Sequence, residues 1–410
     1  MLPLVEIPEI VCHYESFFTS VFSADALAQF KRYVSGLILS ENKTVDGINR
    51  LFVLDKRNQS SLNRLLTDSP FSVEALHQAR LAMLSSLPGT ALKRKGVLSI
   101  DDTLLSHYGQ HFEKIAQLYD SAQGCYVWAH NLVNLHYSDD STDYPIDFTL
   151  WEPVEVAPLE EGLKAAGISL RASKYALKES DPKKWRTYLL GVWRRHQHKA
   201  KVQQIYQSKL LLAQQLLTRF CTGHPTCALP VTFDIWYTQP AFCRFLDKTL
   251  HMAYVGTLAG DTPVKRTSGE QTLKAFDEHL QQEHQHGLTP GKGPIFKKIS
   301  ITYKGDKETY YSYCKTHRMP NFGKQRLVIN HQKADLSDAP TFFISNRLNW
   351  QAGGITRIRR HRWPVEVYHE EGKADGLDQY QVRDFEAIKK HIALVAVTYS
   401  LLRAAQHDED

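Results

Sequence analysis

No apolar run in this 410-residue chain approaches the roughly 18 residues that a membrane-spanning helix requires, which excludes a bundle of hydrophobic spans and leaves no membrane partner to expect. The opening Met1-Leu2-Pro3-Leu4-Val5-Glu6 has neither the basic start nor the apolar core of a secretory leader, so the expectation is a cytoplasmic protein. Cysteine is scarce. Cys12, Cys125, Cys221, Cys227, Cys243 and Cys314 are scattered, which excludes a disulfide framework and suits reduced thiols. Cys221 and Cys227 flank His224, but no second Cys/His pair follows at finger-like spacing, so a turn is the better reading than zinc.

Acid is missing from one long stretch. Lys183, Lys184, Arg186, Arg194, Arg195, Lys199, Lys201 and Lys209 fall in a segment without a single Asp or Glu, and Arg357, Arg359, Arg360 and Arg362 form a second cluster. The net charge of +6 is modest, so this distribution is the stronger argument. Both clusters read as surface facing phosphates, with a solvated face as the alternative.

The length allows two or three structural units. Residues 1–90 read as a helical domain: Ala26, Leu27, Phe30, Tyr33, Val34 and Leu37 recur at helical spacing, Thr44 opens a second helix and Asn58 a third. Such short helices fit either a helix-turn-helix-like DNA reader or a cap on a core. From Val97 the pattern turns to strands. Val97 to Asp102 reads as a first core strand, and Cys125–Leu135 pairs with Pro145–Trp151 across a polar turn. The basic stretch from Pro182 to Cys221 has a helical pattern. A strand ending at Asp234 and a helix through Phe242 and Leu246 follow, completing the first part of a core over 91–250. Residues 251–345 read as a β-rich insertion, with a hairpin about Gly305-Asp306 and an exposed polar loop from Glu278 to Gly293 holding His279, His284 and His286. Residues 346–410 return to the core.

Three carboxylates stand in distinctive frames. Asp102 ends the run Val97-Leu98-Ser99-Ile100 and precedes Thr103; Asp234 ends Leu229-Pro230-Val231-Thr232-Phe233; Glu366 lies in a helix opened by Arg362-Trp363-Pro364. A lone Asp at a strand end more often caps a turn than binds metal. Three such acids converging could hold divalent cations, which activate an attacking oxygen and stabilise a leaving one in phosphodiester chemistry. Pro364 fits the first helical turn, where its missing N–H costs little. On that helix Glu366, Glu370 and Lys373 share a face.

Arg362, three residues, Glu366, six residues and Lys373 resemble the Arg-x3-Glu-x6-Lys part of the Tyr-x2-Arg-x3-Glu-x6-Lys pattern of bacterial insertion-sequence DDE transposases, with Arg359 in the tyrosine's place. Ile100-Asp101-Asp102-Thr103 is similar to the first-aspartate block of that superfamily, where the acid directly before Thr is catalytic, which favours Asp102 over Asp101. Phe233-Asp234-Ile235-Trp236-Tyr237 is similar to the second block. The resemblance implies an α/β fold with a ribonuclease-H-like mixed-sheet core, a β-rich insertion and a helical N-terminal domain. It implies two Mg²⁺ ions, replaceable by Mn²⁺, held by Asp102, Asp234 and Glu366. Arg362, Lys373, Arg359, Arg194, Arg195 and Lys199 would contact DNA, although Arg362 and Lys373 could instead pair with Asp101 or Glu370. The implied partners are double-stranded DNA, as terminal inverted repeats and target, and a second copy of the chain, in a bacterial nucleoid setting. Trp236, Trp350 and Trp363 could stack on an unpaired base or simply pack in the core. Two rivals stay open: a transposase-derived DNA-binding protein without cleavage, which an acid lying away from the cluster would favour, and another metal nuclease on the same core.

Overall fold

The computed structural model describes residues 3–54, 57–266, 269–285 and 293–408. Helices come first: α1 (Glu9–His13), α2 (Ala24–Leu39), α3 (Val45–Leu51), α4 (Gln59–Thr67) and α5 (Val73–Ser86). The last four begin at polar residues whose side chains accept first-turn N–H groups, Ser23 from Ala26, Thr44 from Gly47, Asn58 from Ser60 and Ser72 from Ala75. Strands β1 (Val97–His107), β2 (Ala116–Asp120), β3 (Cys125–Ser138) and β4 (Asp143–Trp151) follow. A helical arm comes next, made of α6 (Val156–Ala165), α7 (Leu177–Ser180), α8 (Pro182–His196) and α9 (Ala200–Gln203). The chain continues with α10 (Lys209–Gly223), β5 (Val231–Phe233), α11 (Pro240–Lys248), β6 (Tyr254–Leu258), β7 (Pro263–Arg266), β8 (Gly269–Thr272) and α12 (Leu273–Gln285). It ends with β9 (Lys297–Tyr303), β10 (Asp306–Met319), β11 (Gly323–His331), β12 (Thr341–Ser345), α13 (Ala352–Arg360), α14 (Trp363–Ala374) and α15 (Phe385–Asp408).

The described strands build one ten-stranded sheet in the order β2-β3-β1-β5-β6-β12-β11-β10-β9, with β4 also on β3, and a separate β7-β8 hairpin. Strand β3 runs antiparallel to both β1 and β4, whereas β5 and β6 continue the sheet parallel to β1. This is an α/β protein with a ribonuclease-H-like mixed-sheet core. Central position explains the mostly apolar start of β1: Val97, Leu98, Ser99 and Ile100 are all buried. Within 251–345, β6 is the last parallel strand, and β12 pairs antiparallel with its far edge. The β-rich segment therefore extends the core sheet, covering an edge that would otherwise be open.

One sequence expectation fails here. Glu278–Gln285 is the end of α12, not a loop, because Leu273, Phe276, Asp277 and Leu280 turn inward at helical spacing while the polar residues face out. His279 and His284 lie on that helix; His286 falls outside the described residues.

Helix α15 is buried along most of its length, and α2, α4 and α5 pack on it. Tyr33 and His391 meet at 2.8 Å, and buried Arg80 donates to the Pro145 and Ile146 carbonyls and to Ser400. The helical arm has its own core of Leu159, Leu163, Trp185, Leu189, Val192, Trp193 and Val202. Among the described residues no helix is long and apolar enough to cross a membrane.

Candidate active site

The paired register of β1 and β5 runs from Leu98 opposite Val231 to Ile100 opposite Phe233. One step further stand Asp101 and Asp234, at the carboxyl edge where β5 stops and a parallel sheet opens to ligands. Beyond β5, Phe233 pairs with Gly256, which brings Thr257 of β6 next to the same edge. The turn after Asp234 is tightly held: its Oδ1 accepts the Tyr237 N–H at 3.1 Å, and its carbonyl accepts the Thr238 hydroxyl at 2.6 Å.

Neighbouring residues of a strand point to opposite faces, so Asp101 and Asp102 part company. Asp101 faces α14. Its Oδ2 accepts from Arg362 Nη1 at 2.8 Å, and Arg362 Nη2 donates to Glu366 Oε1, so one guanidinium bridges the strand acid and the helix acid. Asp102 turns the other way, where Oδ2 accepts from Asn131 at 2.6 Å and Lys209 Nζ at 2.9 Å, and Oδ1 accepts from the Tyr237 hydroxyl at 2.9 Å.

Burial raises the Asp101 carboxyl to about 7; Arg362 opposes that push, while the nearby Asp234 and Asp102 charges add to it. Arg362 does not cancel the rise because it divides its charge between two acids. Asp234 is also raised, first by burial, with the Tyr237 N–H and Arg362 pulling it down and Asp102 pushing it up. These carboxylates are crowded and partly desolvated, and Arg362 is the counter-charge that Asp101 and Glu366 share. Among the described residues no three Asp, Glu, His or Cys side chains stand close enough to hold a metal ion as they are.

The arginines of the second cluster, Arg357, Arg359, Arg360 and Arg362, already have partners within the protein. Arg359 donates to Thr257 Oγ1 at 2.7 Å and lies over the Phe343 ring; burial, then Arg362, lowers it to about 10. Arg357 pairs with Asp140, and Arg360 grips Glu308 with two nitrogens. These side chains project from α13 onto a sheet rim that carries the complementary groups, which the run of arginines in sequence could not reveal. Lys373, half-buried near the end of α14, partly offsets the upward push of burial on Asp378. Glu370 is exposed. Arg194, Arg195 and Lys199 are exposed on the arm.

Trp236 and Trp363 are 43% and 50% exposed beside the acids, whereas Trp350 packs under α13. Lys209 is a site residue that sequence reading counted only as part of a basic cluster; its place as the first residue of α10 was the available signal. Asn134, opposite Asp101 on β3, approaches His369 Nε2 at 2.9 Å, and burial lowers that imidazole to about 3. His224 stacks on Phe220.

A family model described as DDE superfamily endonuclease matches residues 16–301, more than half of the chain. The chain belongs to the DDE superfamily endonucleases. No curated protein matches it. The matched stretch takes in Asp101, Asp102 and Asp234 and stops before Glu366. Membership makes the chain nuclease-like and DNA its substrate, and endonucleases of this superfamily generally use divalent metals.

Proposed function

We propose that this DDE superfamily endonuclease is a transposase that cuts DNA at transposon ends and joins the freed ends to a target. The acid set in this reading is Asp101, Asp234 and Glu366. The observation that carries it is the Arg362 bridge, which ties the strand acid in register with Asp234 to the acid of the Arg-x3-Glu-x6-Lys helix. Asp102, expected in this role from its place before Thr103, has its three hydrogen bonds on the other face. An acid away from the cluster would by itself have favoured a non-cleaving relative, but Asp101 supplies the missing member.

Carboxylates crowded at one sheet edge suit Mg²⁺ or Mn²⁺, which would activate the attacking oxygen and stabilise the leaving one. Asp101, Asp234 and Glu366 would hold the ions. Arg362 neutralises two of these acids in the meantime and, once displaced, is aimed at the phosphate bound there. Arg359 acts from behind, fixed to Thr257, as a positive wall. Arg194, Arg195 and Lys199 on the arm supply sequence-independent grip on the flanking duplex, and Trp236 and Trp363 offer half-exposed rings to an unstacked base. Two copies bridging two terminal inverted repeats complete the reaction in this reading.

The test pairs cleavage with joining. Purified protein, Mg²⁺ and a duplex carrying the element's own terminal repeats should give nicks at the repeat boundary and, with target DNA, joined products, both absent in Asp101→Asn. Nicking without joining would reduce the reading to a metal nuclease.

A further inference from the structure

Asp102 is the most heavily hydrogen-bonded carboxylate near the site and belongs to no acid set that also contains Glu366. We propose that Asp102, Tyr237 and Lys209 form a brace that positions the Asp234 turn and ties it to the basic helical arm. The inference rests on reading Asp101, Asp234 and Glu366 as the acid set.

Tyr237 is gripped at both ends. Its backbone N–H holds Asp234 Oδ1 at 3.1 Å, and its hydroxyl, fully buried, holds Asp102 Oδ1 at 2.9 Å. The carboxylate of Asp234 is therefore located by a side chain anchored to the neighbouring strand. The residue before Tyr237 is held by the same anchor through an intermediary, since Lys209 Nζ pairs with Asp102 at 2.9 Å and lies 4.3 Å from the centre of the Trp236 ring. Two of the three residues after Asp234 thus depend on one carboxylate. A ligand role would require Asp102 to give up three donors, at least one of them charged.

Lys209 connects this brace to the arm. It follows directly on the segment 204–208 that leads out of α9, and Tyr206 in that segment accepts from Trp151 Nε1 at 3.1 Å and packs edge-on against Trp193 of the arm core. A shift of the arm, whose exposed face carries Arg194, Arg195 and Lys199, passes to Lys209 within three residues. The brace is positioned to tell the Asp234 turn whether the arm is seated.

The experiment compares Asp102→Asn, Tyr237→Phe, Lys209→Met and Asp101→Asn in the full-length chain. Asparagine suits position 102 because the buried Asn131 Oδ1 has no hydrogen-bond partner among the described residues and can accept from a carboxamide. The first readout needs no metal: amide hydrogen exchange of the peptide spanning Asp234–Thr238 should quicken in Tyr237→Phe, Lys209→Met and Asp102→Asn, and the Tyr237→Phe/Asp102→Asn double variant should be no faster than the faster single. Unchanged exchange in all three overturns the brace, whatever the enzyme does with DNA. The second readout is Mn²⁺ binding by electron paramagnetic resonance, with Mg²⁺ titration of nicking. Brace variants should keep the number of bound ions and need roughly 10- to 100-fold more metal, whereas Asp101→Asn should lose an ion and cleave at no concentration. If Asp102→Asn loses the ion and Asp101→Asn keeps it, Asp102 is a ligand and the brace is wrong. Wild-type protein that binds no Mn²⁺ overturns the acid-set reading instead, and the exchange data still decide the brace.

Discussion

Asp101 should make the metal-free protein less stable as pH rises through neutrality. Its carboxyl ionises at about 7 in the folded chain against an ordinary 3.8, because burial and the adjacent acids disfavour its charge more than the shared Arg362 favours it. Folding therefore takes up a proton between those two values. The stabilisation is fully present below about pH 4 and is lost as pH climbs through 7. Integrating the two titrations gives a loss of about 3 kcal/mol between pH 5 and pH 8 from this group alone. With unfolding entropy of roughly 2 cal/mol/K per residue, that corresponds to about 3 °C in a chain of this length.

Other groups titrate over the same range, so the informative quantity is a difference. Melting temperatures would be measured in chelator at pH 5 and pH 8 for the wild type and Asp101→Asn, which keeps the shape and cannot ionise. The drop on going to pH 8 should be about 3 °C smaller in the variant. Mg²⁺ at pH 8 should raise the wild-type melting temperature more than the variant's, because at Asp101 the cation replaces the lost proton. Equal pH dependence in the two proteins would refute the claim that Asp101 is the strained acid of the cluster.

Asp234→Asn and Glu366→Gln should each abolish nicking in Mg²⁺ while gel-shift affinity for the duplex stays within a few-fold of wild type; near-normal nicking by either removes that residue from the acid set. Neutralising Arg194, Arg195 and Lys199 together should weaken binding to any duplex and flatten the slope of log affinity against log salt by up to about 2.7, at roughly 0.9 per lost phosphate contact. An unchanged slope would make them solvated surface. Gly256→Ala would place a Cβ 2.8 Å from the Phe233 ring and 2.9 Å from Thr238 Oγ1, on both sides of Asp234. Overpacking of this kind costs about 1–3 kcal/mol, and nicking should fall further than the melting temperature suggests; full activity would show that the Asp234 turn tolerates displacement.

Much of the fold could be read locally. Thr44 and Asn58 start helices where the sequence places them, the polar turn between β3 and β4 is where the alternation breaks, and Gly305 at φ +90° closes the β9–β10 hairpin. What stayed hidden depended on partners far away in sequence: nothing in Thr341–Ser345 says that it pairs with Tyr254–Leu258, so the place of the β-rich segment on the edge of the core sheet had no local signal. In α12 the inward Leu273, Phe276 and Leu280 are diluted by Gln, Glu and His on the outer face, and composition concealed the periodicity.

The site shows the same division at the scale of one residue. A period of two tells which residues of a strand share a face, but not which face meets the helix bearing Glu366. The place before Thr103 favours Asp102 in sequence, whereas in space Asp101 and Asp102 point to opposite faces and Asp101 is the one that meets that helix. Two long-range relations support the proposed choice of Asp101, the β1–β5 register that levels it with Asp234 and the Arg362 reach across 261 positions. Arg362 was read as a donor for phosphate or, alternatively, a partner for Asp101, and it makes the second contact. Those uses are compatible: a guanidinium that balances buried acids before metal arrives is already at the place where the phosphate must come. Adjacent aspartates can then divide the labour, one charge offered to the cation and the other spent on holding Tyr237 and Lys209, so that the turn carrying Asp234 does not yield when charge builds up beside it.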